Sequence, residues 1–306
     1  MAARAPIAVD TALLRRWPLP STDGDADKES RGHVLVVAGS REMPGAAWLA
    51  ASGALRAGAG KLSVATAASV AAGLALMLPE SRVIALRESA SGGLRPAGVE
   101  TLRESLGQAD AVLLGPGWAD APASVAFAQR VLSTAEQQTP IVLDALAMEA
   151  VAGARAAGRR LLTPHAGEMA HLWGVDKQDV LANALAFSLM TSQRWQCVVA
   201  LKGATTYVTT PDGAAWRHHA FRPGLGTSGS GDALAGIITG IAARGASLEQ
   251  AAVWGVALHS RTGAALASQR GPVGYLASEL LLEVPRAMHA MSTPRRSSRD
   301  HRDHHR

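Results

Sequence analysis

Short, almost continuously apolar runs alternate with longer small-residue stretches of helical spacing through most of this chain, and that alternation limits its fold more than any other feature. His33-Val34-Leu35-Val36-Val37-Ala38 reads as a first strand, followed by Gly39-Ser40 and a helix from about Pro44 to Gly58, with Pro44 tolerable in a first turn. Lys61 to Ala65, Arg82 to Leu86, Asp110 to Leu114, Pro140 to Asp144, Leu161 to Thr163 and Cys197 to Leu201 follow, with helical spacers between most of them. Strands apolar along their whole length and separated by helices imply an α/β fold: a central, mostly parallel sheet flanked by helices on both faces. Thr205 to Thr209, the turn Pro211-Asp212-Gly213 and Ala214 to His218 read as a late antiparallel β-hairpin, and residues 232–244, 248–267 and 276–290 as helices.

With 306 residues and 48% hydrophobic content the chain can bury a large core, and no long Pro-, Ser- or Gly-rich linker divides residues 30–290. The expected organisation is an N-terminal extension over residues 1–30, one domain over 31–290 and a disordered basic tail over 291–306. The tail holds five arginines against two aspartates, and so carries +3 of the net charge of +5. With three Phe and two Tyr in the whole chain, no basic stripe interleaved with aromatics marks a nucleic-acid partner. Residues 1–20 lack the form of a secretory signal, and no apolar run approaches the roughly 20 residues needed to span a bilayer. The single cysteine, Cys197, can form no internal disulfide. A cytoplasmic protein with no membrane partner is expected.

The chemistry points to one junction. Phe221-Arg222-Pro223-Gly224-Leu225-Gly226-Thr227-Ser228-Gly229-Ser230-Gly231-Asp232 opens directly into the apolar, helix-like Ala233-Leu234-Ala235-Gly236-Ile237-Ile238. Glycines let backbone amides turn towards a ligand, and the helix behind them adds unpaired N–H groups and a positive dipole end, so Gly229, Ser230 and Gly231 suit an anion such as phosphate. A carboxylate there repels phosphate at rest. Asp232 makes sense if it accepts a proton from a hydroxyl that then attacks the bound phosphorus. In a parallel sheet ligands collect at the carboxyl ends of the strands. The marked strand ends are Gly39-Ser40, Gly115-Pro116-Gly117, Asp144, Thr163-Pro164-His165 and Lys202-Gly203, which together describe one rim.

Several of these segments, in this order, carry a strong resemblance. Gly32 to Ser40, Pro44-Gly45-Ala46-Ala47, Gly58-Ala59-Gly60, Gly115-Pro116-Gly117, Leu162-Thr163-Pro164-His165-Ala166-Gly167-Glu168-Met169, Leu201-Lys202-Gly203-Ala204-Thr205-Thr206 and Gly229-Ser230-Gly231-Asp232-Ala233-Leu234-Ala235-Gly236 resemble the NAD(P)H-hydrate dehydratase family, a branch of the ribokinase-like superfamily. The resemblance runs from about Lys28 to about Glu283. Two departures stand out: Leu146 and Glu149 replace polar residues that usually line the rim, and Arg222 stands where Asn is usual. With residues 1–30 alone ahead of the first strand, the epimerase domain that often precedes this module is not expected.

The resemblance implies a ribokinase-like fold and a repair reaction: dehydration of the S-form of NADHX or NADPHX to NADH or NADPH, with ADP consumed and AMP and phosphate released. It implies Asp232 as the catalytic base, Ala46, Gly117, His165 and Asp232 as substrate-binding residues, and Lys202, Gly203, Ala204, Thr205, Thr206 and Gly231 as nucleotide-binding residues. It further implies Mg2+ as the accompanying ion, with no ligands assigned, and a homotetramer. Left open beside it are an ATP-dependent kinase of the same superfamily acting on a vitamin-precursor alcohol, and a catalytically silent nucleotide-binding protein.

Overall fold

Along the first long strand the side chains divide strictly by parity: Val34 and Val36 enter one hydrophobic core, Leu35 and Val37 the other. Both faces of the sheet are therefore buried, as the unbroken apolar runs require. In this computed structural model residues 5–21, 27–153, 158–219 and 222–292 are described. The strands among them are β1 (Ile7–Ala8), β2 (His33–Val37), β3 (Lys61–Ala67), β4 (Arg82–Leu86), β5 (Ala111–Leu114), β6 (Ile141–Leu143), β7 (Arg160–Leu162), β8 (Val198–Leu201), β9 (Thr205–Thr209) and β10 (Ala215–His219). They form one sheet in the order β1-β10-β9-β8-β7-β6-β5-β2-β3-β4. Only the β8–β9 and β9–β10 pairings are antiparallel, so the expected late hairpin is present at one end of an otherwise parallel sheet.

The helices are α1 (Thr11–Arg16), α2 (Pro44–Arg56), α3 (Ala68–Met77), α4 (Arg103–Gln108), α5 (Ala121–Thr134), α6 (Ala166–Trp173), α7 (Lys177–Ala182), α8 (Ala184–Trp195), α9 (Ser230–Ala243), α10 (Leu248–Arg270) and α11 (Ala277–Ser292). Buried residues of α2, α9, α10 and α11 fill the first core; those of α4, α5, α6 and α7 fill the second. From β2 the chain runs outward through β3 to β4, then returns to build β5 to β8 on the other side. This reversal opens a crevice between the ends of β2 and β5. The Gly39 N–H closes its base by donating to the Pro116 carbonyl at 2.7 Å.

Helices α2 and α9 meet along an unusually close seam. A β-carbon at Gly236 would collide with the Ala50 carbonyl oxygen, one at Gly240 with that of Ala54, and one at Gly53 would stand 2.8 Å from that of Ala233. Only hydrogen on the facing positions lets the two backbones approach this far. The seam lies directly behind Ala46 on α2 and Asp232 on α9.

Described residues at both ends of the expected domain pack onto it. Within the extension expected over residues 1–30, the described residues 5–21 pack on the body: β1 pairs in parallel with β10, Leu14 is buried, and the Trp17 ring stacks on Trp216 with centroids 5.6 Å apart. The Trp17 carbonyl also accepts from Trp254 Nε1 at 2.8 Å. A two-residue strand has no period to read, and its place in the sheet comes from its partner. The tail expected from residue 291 begins inside α11, which runs to Ser292 with Met291 buried in the first core; residues 293–306 lie outside the described residues.

Candidate active site

Helix α9 begins at Ser230, with Gly229 as its N-cap at φ +84°, a left-handed conformation that favours glycine. Ala233 N donates to Gly229 O at 3.0 Å and closes the first turn. The N–H groups of Gly231 and Asp232, ahead of that turn, have no carbonyl of their own helix to bond. The positive end of α9 therefore faces the rim, as the glycine run predicts.

Lys202 supplies a second positive charge at the same place. It follows β8, and its backbone N–H donates to Pro164 O at 2.7 Å, which sets it beside His165 on the neighbouring strand end. Its ammonium lies against α9: a β-carbon on Gly231 would stand 3.2 Å from Nζ. Nζ also lies 3.2 Å from Asp144 Oδ1 and 3.9 Å from Glu168 Oε2, and the side chain is only 19% exposed. Burial works against the charge, but Asp144, Glu168 and Asp232 outweigh it and hold the lysine above its ordinary value. Asp144 is itself buried and accepts from Thr163 Oγ1 at 2.5 Å. Lys202 is thus a fixed cation, held by one carboxylate just past β6 and one on the first turn of α6, and aimed at the start of α9.

Asp232 answers to the same group of charges. Burial, then the like charges of Asp144 and Glu168, push its carboxyl up to about 7, with Lys202 pulling the other way. A carboxylate poised there is ionised often enough to take a proton and basic enough to hold it.

A cleft of about 440 Å³ brings the predicted residues His165, Lys202, Gly203, Ala204, Thr206, Ser230 and Gly231 together, closed on the far side by Pro223, Leu225, Leu234 and Val256. Asp232, Gly229 and Thr205 adjoin this cleft without lining it; Thr205 Oγ1 is instead 2.8 Å from His219 Nδ1. Ala46 and Gly117 stand apart from it, over the crevice between β2 and β5, and touch each other: a β-carbon at Gly117, where φ is +66°, would be 2.5 Å from that of Ala46. His165 is the N-cap of α6. Its Nδ1 accepts from Gly167 N at 3.0 Å and Glu168 N at 3.1 Å, while Glu168 Oε2 accepts from His165 N at 2.8 Å. That capping box commits Nδ1, while Nε2 lies 3.6 Å from Glu168 Oε1 at the edge of the cleft. His165 also lines a second hollow with Leu146, Glu149, His171 and Leu172, so the departures at 146 and 149 sit beside the site, and Glu149 Oε1 lies 3.4 Å from His171 Nε2.

Sequence reasoning places Asp144 and Thr163 on the rim without assigning them a task, and assigns none to Glu168. It missed His259, which is buried on α10 and lines the cleft with its Nε2 2.9 Å from Ser230 Oγ. No pattern around His259 announces this, because its partner is 29 residues away in sequence. Among the described residues no group of three or more His, Cys, Asp or Glu side chains is arranged to hold a metal.

A mostly parallel α/β sheet whose rim offers a helix N-terminus, a partly buried lysine and a basic aspartate is that of the ribokinase-like class. A ribokinase-like protein from Enterococcus faecalis superposes with a TM-score of 0.80 at 23% identity, covering 94% of this chain and 97% of that one. A family model described as NAD(P)H-hydrate dehydratase matches residues 34–286, and the chain belongs to that family. It is 47% identical over 90% of its length to the ADP-dependent (S)-NAD(P)H-hydrate dehydratase of Xanthomonas campestris pv. campestris, and spans 94% of that relative. The ADP/ATP-dependent NAD(P)H-hydrate dehydratase of Bacillus subtilis, co-crystallised with ATP and Mg2+, superposes with a TM-score of 0.79 at 27% identity, covering 95% of this chain and 99% of that one. The chain spans about half the length of the bifunctional NAD(P)H-hydrate repair enzymes among its relatives.

Proposed function

We propose that the chain dehydrates the S-form of NADHX or NADPHX to NADH or NADPH at the expense of ADP, releasing AMP and phosphate. The observation that carries the reading is Asp232, raised to about 7 on the first turn of α9 and within the field of Lys202. Hydroxide is a poor leaving group and phosphate a good one, which gives the nucleotide its chemical purpose. Asp232 takes the proton of the C6 hydroxyl as its oxygen bonds the terminal phosphorus of ADP and the bond to AMP breaks. The ring-nitrogen lone pair then expels phosphate from C6, and loss of a proton from C5 restores the C5–C6 double bond. In the anion hole of Gly229, Ser230 and Gly231, the unpaired N–H groups at the head of α9 and the Lys202 ammonium balance the charge on the transferring group.

ADP is assigned to the cleft of Lys202 to Thr206, its terminal phosphate at α9 and its base against Leu225 and Val256. Ala46, Gly117 and His165 are assigned to the hydrate. A Mg2+ ion entering with the nucleotide would take its ligands chiefly from phosphate oxygens and water, since the carboxylates nearest α9 already bond Lys202 and Thr163. It would supply further charge neutralisation on the phosphates. The buried free Cys197 agrees with a reducing, cytoplasmic setting. The kinase and silent-protein alternatives are set aside on the relatives.

The test is to incubate the protein with NADHX and Mg2+ plus either ADP or freshly purified ATP, following NADH absorbance and the nucleotide products. One set of contacts from Lys202 to Thr206 cannot seat both donors equally, because misplacement by about 1 Å can cost roughly 10²-fold. kcat/KM with ADP should clearly exceed that with ATP, and AMP should accumulate. ADP as the main product, or equal rates with the two donors, defeats the assignment.

A further inference from the structure

Two side chains at the head of α9 are committed to each other rather than to the fold at large. Ser230 is 4% exposed and His259 9%, both line the nucleotide cleft, and Ser230 Oγ lies 2.9 Å from His259 Nε2. A neutral imidazole carries one N–H, and its place decides what the serine can do. With the proton on Nδ1, the hydroxyl donates to Nε2 and has no hydrogen left to give a ligand. With the proton on Nε2, the ring donates to Oγ and the hydroxyl hydrogen is free. An anionic phosphoryl oxygen in the cleft favours the second arrangement, because it is the better acceptor.

We infer that Ser230 Oγ–H is a donor to the transferring phosphoryl group, beside the backbone amides of α9, and that His259 is the positioning residue that holds the hydroxyl in that orientation. The inference rests on the reaction proposed above. Burial, and then the charge of Lys202, push His259 down to about 4, so the ring stays neutral throughout the working range and acts by orientation rather than by charge. Its carbonyl accepts from Thr262 Oγ1 at 2.8 Å, which ties its turn of α10 to a buried neighbour.

The experiment compares Ser230→Ala, His259→Leu, His259→Gln and the Ser230→Ala/His259→Leu double variant. It measures kcat, KM for ADP, thermal midpoint, and calorimetric affinity for inorganic phosphate with AMP saturating. Removing one preorganised donor should lower kcat on the order of 10²-fold in Ser230→Ala and in His259→Leu, with KM for ADP little changed. The double variant should be no worse than either single one, since both act through one hydrogen bond. His259→Gln, which keeps an N–H near the Nε2 position, should recover most of the loss. A merely structural histidine would lower the thermal midpoint without this pattern. Ser230→Ala with wild-type kcat and phosphate affinity overturns the inference, as do single losses that multiply in the double variant. If His259→Leu does not fold, Ser230→Ala and His259→Gln decide the matter. A wild type inactive on the hydrate, with phosphate affinity falling in the variants, would remove the reaction and sustain the dyad.

Discussion

The pH at which Asp232 changes charge links its chemistry to its cost. The base must be ionised to act, so kcat/KM should rise with pH through about 7 and level off above it, as a pH–rate profile would show. Because Lys202 holds that value down, Lys202→Gln should move the rising limb to higher pH while weakening ADP binding. Asp232→Asn keeps the shape but removes the proton acceptor, and should cost on the order of 10²–10⁴ in turnover with ADP affinity largely kept; near-wild-type kcat would rule Asp232 out as the base. Its stability should change in the opposite sense. The folded carboxyl titrates above its ordinary 3.8, so the folded chain holds this proton more tightly than the unfolded one. The group's contribution is fully favourable below about pH 4 and is lost as pH rises through 7. Asp232→Asn should therefore melt higher than wild type at pH 8, with the difference vanishing near pH 4.

At the scale of elements, strands from His33 to Leu201 were legible to within a few residues because burial on both faces leaves an unbroken apolar run with nothing else to signify. The start of α9, with Asp232 on its first turn, was legible for a different reason, since glycines packed ahead of an apolar helix have few structural uses. What stayed hidden is what depends on distant partners. β1 exists because Ile7 meets Trp216, and His259 matters because it meets Ser230; neither pairing leaves a trace in local spacing. The N-terminal segment shows the energetic side of this. Trp17→Ala would remove a ring stacked on Trp216, and Trp-to-Ala changes in packed sites cost about 3–5 kcal/mol. We expect a loss near the lower end, because Trp17 is only half-buried, read as a fall in denaturation midpoint with kcat unchanged. An unchanged midpoint would return residues 5–21 to the status of an extension.

For the whole molecule we propose that residues 7–292 act as one unit, and that the tetramer implied by the resemblance is the form to seek by measuring mass in solution. Truncation after Ser292 should leave activity and thermal midpoint unchanged, whereas truncation after Ala290 removes the buried Met291 and should lower the midpoint. Equal midpoints for the two truncations would mean that Met291 is dispensable. The seam between α2 and α9 also bears on how freely this protein can vary. Every codon change that replaces Gly236 or Gly240 adds at least one heavy atom where a carbonyl oxygen already stands, and the displacement passes along a rigid helix to Asp232. In a library of random variants selected for turnover, these two positions should be nearly as depleted of substitutions as the aspartate itself, although neither lines the cleft.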